Sequence, residues 1–398
     1  MDIAAKERAV APSLGALADT ALGFLWIAWT AEALVRLQAG PLLTLPLYAL
    51  LFLRLLATMP VWTPALLQAW PMLAFPFLCI LSAAWSAVPG ASLTGGVQCL
   101  VTVVAGIYLG TRFGLLGLAG LIVGALGATM ILSAINLAGL FQPTHAPNGG
   151  FLGIYTNKNA LGQRAALLLI ALALAFVLAE SGRARFLWVG AILGTAILLP
   201  LSLSVTAIVV GPVAMVAFFL WSLWAGSVRA RLVLLLIAAA LVGALAVTVF
   251  SLSSDPLADG LAAAGKDTTL TGRTALWQTA LGQFANGSLL GMGYLAYWQA
   301  PETAQTAAVL TALYGEKVSA FHNFVLEVLV ALGPLGLLAM ALLLGHVARA
   351  LLRLPASPLR RWAVLSVGTL VFLSLLASVT MISAPQELWS IPVEVQYY

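Results

Sequence analysis

Three small groups of residues have side chains and spacings that could do chemistry. His322 and Asn323 stand together at the head of an apolar run, and Glu327 follows four residues after Asn323, on the same helical face. An imidazole, with an unperturbed pKa of about 6.5, is neutral at working pH and can take a proton from a hydroxyl as a general base. An ionisable residue such as Glu327 within a lipid-spanning run is costly to place there and marks a functional hypothesis. Arg273, in Thr271-Gly272-Arg273-Thr274, has Trp277 one helical turn later. Its guanidinium fork stays charged and grips anionic oxygens in pairs. The third group is Asn157-Lys158-Asn159 with Arg164 further along. A lysine where a helix begins, beside open amides and the positive end of the helix dipole, forms an anion site. Each group also has a plain reading: a histidine anchoring a helix end, a glutamate paired with a cation, an arginine stacked on Trp277, or cations reaching to the membrane surface. One group alone is a weak signal, and three on one face describe an anion site beside a base.

Other chemistries have no home in the sequence. Asp255 and Asp259 are four apart with no further ligand near them, and the loops carry no Asp-x-Asp pair or His/Asp/Glu cluster, so no metal is expected. There is no Walker A loop and no GxGxxG opening a helix after a strand, which leaves neither ATP hydrolysis nor a nicotinamide cofactor. Fixed cations would then have to stabilise any leaving group. His145, before Gly149, is a candidate for a second polar contact, and His346 is expected to be structural.

The elements that must position these groups are membrane helices. Of 398 residues, 62% are hydrophobic and 8% charged, against roughly 25% charged in a soluble domain. The mean hydropathy is +1.05. Apolar runs long enough to cross the bilayer recur along the chain, and their continuity argues for helices over barrel strands, so the fold class is all-α, polytopic. Breaks at charged, Pro or Gly-rich stretches predict eleven spans, near 14–36, 39–57, 64–84, 94–110, 114–140, 160–180, 186–200, 205–226, 232–252, 322–345 and 363–383. The first, with Lys6 and Arg8 before it and Asp19 and Glu32 within it, is read as a retained helix. Cys79 and Cys99 fall inside spans and imply neither disulfide nor metal.

With the N-terminus inside, alternate crossings put Arg54, Arg112, Arg353 and nine other basic residues on the cytoplasmic side, out of 18 in all. The net charge of +5 follows from this positive-inside bias and calls for no nucleic acid. The remaining six are Arg36, Lys158, Arg164, Lys266, Arg273 and Lys317, and five of them sit in or beside two outer segments, 141–164 and 253–321. The second is the one long loop predicted in a single integral membrane domain spanning 1–398. Within it 269–284 has helical composition, with Thr271 as a candidate cap. A tail, APQELWSIPVEVQYY, is too short to cross and is expected outside the cytoplasm.

The pattern His322-Asn323, nine residues, Gly333, two residues, Gly336 resembles the signature of the bacterial O-antigen ligase and polymerase superfamily. Three further segments fit in the same order: LSAAWSAVPGASL at 81–93, GFLGIYTNKNALGQ at 150–163, and TLTGRTALW followed by GMGYLAYW at 269–298. The wording of TLTGRTALW is closer to exopolysaccharide polymerases of the succinoglycan type than to lipid A core ligases. The resemblance implies a metal-independent, membrane-embedded glycosyltransferase of the GT-C type, with about 11–12 transmembrane helices, in the bacterial inner membrane with its site facing the periplasm. Its substrate would be an undecaprenyl-diphosphate-linked oligosaccharide. Carried over, Arg273 matches the family's diphosphate-binding arginine and His322 its proposed base, with Lys158 or Arg164 as second cation. Asn157, Asn159, Asn323, Glu327 and Trp277 are the expected substrate contacts. Family members usually have one more C-terminal helix than is counted here.

Three functions compete. The leading one is polymerisation, moving a growing glycan from undecaprenyl diphosphate onto the next lipid-linked repeat unit with inversion; a ligase acting on lipid A core or a protein hydroxyl uses the same residues. A transporter would suit Glu32 and Glu327, but transporters hold their polar residues at mid-membrane. A structural membrane partner leaves the outer cations unexplained. Expected partners are the lipid-linked glycan and membrane lipids, with a chain-length regulator or flippase as further candidates.

Overall fold

Backbone in hydrocarbon must satisfy its own hydrogen bonds, and the apolar runs do so as helices. The structure, a computed structural model, describes residues 13–33, 40–140, 143–146, 149–224, 273–314 and 318–376. Among them the regular structure is helical, with one isolated bridge between His145 and Phe151. In chain order the helices are α1 Leu14–Thr30, α2 Gly40–Ala57, α3 Met59–Gln68, α4 Trp70–Leu81, α5 Pro89–Ile135, α6 Lys158–Leu178, α7 Gly182–Leu201 and α8 Val205–Trp224. They continue with α9 Arg273–Asn286, α10 Ala304–Tyr314, α11 Phe324–Arg353 and α12 Pro358–Leu376.

Five of the described helices are long and apolar enough to cross a membrane, or six if the bent pair α2 and α3 counts as one span. The difference from eleven expected spans has identifiable causes. The expected span 64–84 is divided at Ala69, where Pro71 opens α4, and α3 turns by 93° from α2 at Thr58. Spans 94–110 and 114–140 form one 47-residue helical run, α5, broken at Gly114 with φ 58° and ψ −173°. That break folds the run back on itself. A Cβ on Gly23 of α1 would meet Leu109 at 3.3 Å and Leu121 at 2.7 Å, two residues that a straight helix would hold about 18 Å apart. Both halves of α5 therefore flank α1. The expected span 232–252, the candidate cap Thr271, Asp255 and Asp259, and the C-terminal tail lie outside the described residues.

α6 is the central helix. Its residues from Ala160 to Leu174 are buried, and it packs on α5, α7, α8 and α12. The outer helices expose large apolar side chains, such as Leu67, Trp70, Phe186 and Leu193, as lipid contact requires. Cys79 and Cys99 are free, buried thiols packed where α4, α5 and α11 meet.

Helix ends sort the molecule into two faces. At one, Leu115 just after the α5 break, Leu174 and Val177 of α6, Leu351 of α11 and Trp362 of α12 form one apolar cluster. Close to the Gly114 break, Asp19 accepts from Arg54 Nε at 2.7 Å, Arg112 Nε at 2.8 Å and the Tyr108 hydroxyl, which ties α1, α2 and α5 together. The opposite face receives the start of α5, the end of α5, the start of α6 and the start of α11. Helices of twenty or so residues separate the two faces by about 30 Å.

Candidate functional site

The opposite face holds the sequence-predicted residues in two groups. The first is built on α11, which cannot run straight because Pro334 has no N–H to give the Val330 carbonyl and Gly333 adopts φ 62°, ψ −161°. That conformation is open essentially to glycine alone. The released carbonyls are taken by the chain between α9 and α10: Met292 N donates to Val330 O at 3.0 Å and Gly293 N to Ala331 O at 2.9 Å. The same segment is held from its other side by residues 82–92. Tyr294 N donates to Ser82 Oγ at 3.0 Å, Ser92 Oγ to Tyr294 O at 2.7 Å, Ala87 N to Met292 O at 3.0 Å and Trp85 Nε1 to Leu290 O at 3.0 Å. Gly293, at φ 100°, lies against Ser86 so closely that a Cβ would overlap its hydroxyl.

His322 precedes α11 at φ 54°, a left-handed conformation that few side-chain-bearing residues adopt, histidine more readily than most. Asn323 caps the helix, its Oδ1 accepting from Val325 N at 3.0 Å and Leu326 N at 3.3 Å. Glu327, one turn in, reaches back to accept from Phe321 N. Trp277 of α9 donates through Nε1 to Phe321 O at 3.1 Å. Phe321 is fully buried, with its ring centroid 4.8 Å from those of both Tyr297 and Trp298. Burial, with the Glu327 carboxylate adding to it, raises the Tyr297 phenol above its usual pKa. Arg273 is the first residue of α9, one turn before Trp277.

The second group is built on the start of α6. Asn157 caps that helix through Oδ1 to Ala160 N at 2.9 Å, so Lys158 is its first residue, as the sequence predicts. Asn157 is exposed and Lys158 and Asn159 are half-buried. Lys158 lies along Gly150, where a Cβ would sit 2.5 Å from its Cδ. The loop before it is fixed by Asn136 Nδ2 to Gly153 O at 2.9 Å, Ile154 N to Ser133 Oγ at 3.2 Å and Phe151 N to Leu201 O at 2.8 Å. Tyr155, its phenol pushed by burial up to about 12, donates to Thr129 Oγ1 at 2.7 Å. His145 pairs with Thr144 Oγ1 at 2.7 Å, and His346 sits well inside α11.

Arg164 is only 1% exposed. Its Nη1 donates to Gln163 Oε1 at 2.7 Å and its Nη2 meets Glu32 Oε1 at 3.4 Å, while Glu32 Oε2 accepts from Thr156 Oγ1 at 2.9 Å. Glu32 follows α1 in a left-handed conformation, φ 64°. From the sequence, Glu32 reads as an intramembrane carboxylate within the first span, with no link to Arg164. Two lone intramembrane charges of opposite sign were the available signal, since such charges pair. None of the hydrogen bonds or ion pairs among the described residues joins the Lys158 group to the His322 group, although both open on one face.

The O-antigen ligase family model matches residues 190–341, from within α7 to beyond the break in α11. The exopolysaccharide production protein ExoQ of Rhizobium meliloti is 32% identical over 284 residues, 68% of this chain and 62% of the relative. Over these stretches the chain is similar to the O-antigen ligase family and to a protein of exopolysaccharide production. The match to ExoQ spans less than two thirds of that protein's own length. Within the superfamily match fall Arg273, Trp277, His322, Asn323 and Glu327; the Lys158 group precedes it. The superfamily resemblance seen in the sequence acquires a physical basis here. Two of its four segments, 81–93 and 322–336, each bond to a third, 269–298, through residues 290–294 of that segment.

Proposed function

We propose that the chain is a polysaccharide polymerase of the bacterial inner membrane, acting at its periplasmic face on undecaprenyl-diphosphate-linked repeat units. His322 takes the proton of an acceptor hydroxyl, whose oxygen attacks the anomeric carbon of the donor glycan with inversion. The bond from that carbon to the diphosphate oxygen breaks, and the electron pair leaves on undecaprenyl diphosphate. Arg273 stabilises the departing diphosphate as fixed positive charge, which costs no reorganisation at the moment of reaction. Lys158, half-buried on the dipole of α6, is better placed to assist than Arg164, whose guanidinium is enclosed and faces Glu32. Neither metal nor nucleotide sugar enters the step.

The observation that carries this reading is that α9, which begins with Arg273, is hydrogen-bonded through Trp277 to the residue preceding His322. An anion-gripping helix and a base are thus part of one construction. Likeness to a protein of exopolysaccharide production favours polymerisation. The family model's description as O-antigen ligase favours the second reading, transfer to lipid A core or another hydroxyl by the same chemistry.

The test is turnover by purified protein of the lipid-linked repeat units that accumulate in membranes of a strain lacking it, with products sized by mass spectrometry. Polymer is expected from the wild type and none from His322→Ala or Arg273→Ala at equal protein abundance. Wild-type polymer from both variants would refute the mechanism, and transfer only to an added lipid A core acceptor would select the ligase.

A further inference from the structure

We infer that Glu327 and Trp277 are positioning residues that fix the His322 imidazole from behind, and do not contact the glycan. The inference rests on the reading of His322 as the base. Its starting point is the backbone of Phe321. The N–H of that residue is held by the Glu327 carboxylate, its C=O by the Trp277 indole at 3.1 Å, and its ring by Tyr297 and Trp298. On the other side of His322, Asn323 is committed as the cap of α11, with two amides on its Oδ1. His322 is thus held between two anchored residues. It occupies a left-handed backbone conformation that unconstrained chain would leave, and such conformations persist where the surroundings over-determine them.

The geometry of Glu327 is specific to this task. In a capping box the acidic side chain three residues into a helix returns to the N–H of the cap residue itself. Here the acid is four residues beyond the cap Asn323 and reaches two residues before it, past His322. The bond therefore fixes the approach of the chain to His322 as well as the helix end. Trp277 closes the arrangement from a different element. Because it stands one turn after Arg273, its bond to Phe321 O sets the position of the arginine's helix relative to the base. Displacing either side chain would leave both reacting groups present and misplaced.

What Glu327 supplies is an acceptor oxygen, which an amide also supplies; what Trp277 supplies is an indole N–H, which a phenyl ring lacks. Purified Glu327→Ala, Glu327→Gln, Trp277→Phe and His322→Ala would be compared with wild type in turnover of the accumulated lipid-linked repeat units, with kcat and KM measured separately. Glu327→Ala is expected to lower kcat on the order of 10²-fold, as displacement of a reacting group by about 1 Å does. Its KM should stay near wild type, and Glu327→Gln should recover most of the loss. Trp277→Phe should lower kcat in the same way, although an aromatic ring is kept at that position.

A raised KM with kcat retained in Glu327→Ala or Trp277→Phe would make that residue a glycan contact and overturn the inference. A Glu327→Gln variant as slow as Glu327→Ala would overturn it too, by showing that the charge and not the acceptor matters. If Glu327→Ala is not recovered as folded protein, Glu327→Gln and Trp277→Phe decide between them: an active glutamine and a slow phenylalanine uphold the inference, and any other pairing rejects it. His322→Ala is the separate control, because full turnover by that variant would remove the base itself, whatever the other three do.

Discussion

Arg164 shows how a residue type can be read correctly in the sequence while its surroundings stay hidden. Its charge marked it as an anion ligand, but the partner that encloses it, Glu32, lies 132 positions away, beyond the reach of any local pattern. A buried ion pair adds little net stability over apolar side chains of the same shape, yet removing one partner strands the other charge at a cost of about 3–5 kcal/mol. Glu32→Ala should therefore destabilise the detergent-solubilised protein by about 4 kcal/mol, seen as a fall in its thermal midpoint. Joint replacement by Glu32→Leu and Arg164→Met should recover much of that stability. Lys158→Ala, at a half-buried helix start, should leave the midpoint near wild type and reduce transfer. A Lys158 variant that unfolds beside a stable Glu32 variant would reverse these roles. His322, Asn323 and Lys158 were legible because each sits at a helix start, where local sequence governs. Trp277 and Glu327 were noted for their types, but their shared target, the backbone of Phe321, leaves no mark in composition or spacing.

Elements were legible where apolar runs ended at Pro, Gly or charge, and less so where a helix breaks without ending. The sequence predicts α11 as one span near 322–345; it runs to Arg353 with a break at Gly333 and Pro334. Pro334 carried that signal, and its consequence, two freed carbonyls that seat Met292 and Gly293, depends on a segment some forty residues earlier. Gly333→Ala tests the break. The change would incur about 1–3 kcal/mol for a backbone conformation open essentially to glycine and press a methyl onto the Leu289 carbonyl oxygen, adding about 1–3 kcal/mol of overpacking. Loss of thermal stability with loss of transfer is expected, because the 288–298 segment would have to leave its seat. A wild-type midpoint and rate would mean that the seat is dispensable. Glycines such as Gly345, which a Cβ would leave uncrowded, should accept alanine without effect.

At the scale of the molecule, the two groups, which no hydrogen bond among the described residues joins, share one face. α5 leaves the Ser82–Tyr294 junction, reaches the Asp19–Arg54–Arg112 cluster, doubles back at Gly114 and returns to Ser133 and Asn136 beside the Lys158 loop. α6 and α11 both start on that return face and end in the apolar cluster at the other. If the positive-inside bias governs this chain, the end carrying Arg54, Arg112 and Arg353 is cytoplasmic and the His322 end periplasmic, where a flipped lipid-linked glycan would be met. Single cysteines can test this, since Cys79 and Cys99 are wholly buried and should not react. Ser319→Cys, exposed just before His322, and Ala356→Cys, exposed between α11 and α12, would be treated with a membrane-impermeant maleimide in cells whose outer membrane has been made permeable. Ser319→Cys should be labelled in such cells and Ala356→Cys only after the inner membrane is opened. The reverse pattern would put His322 and Arg273 in the cytoplasm, and polymerisation at the periplasmic face would then be untenable for this chain.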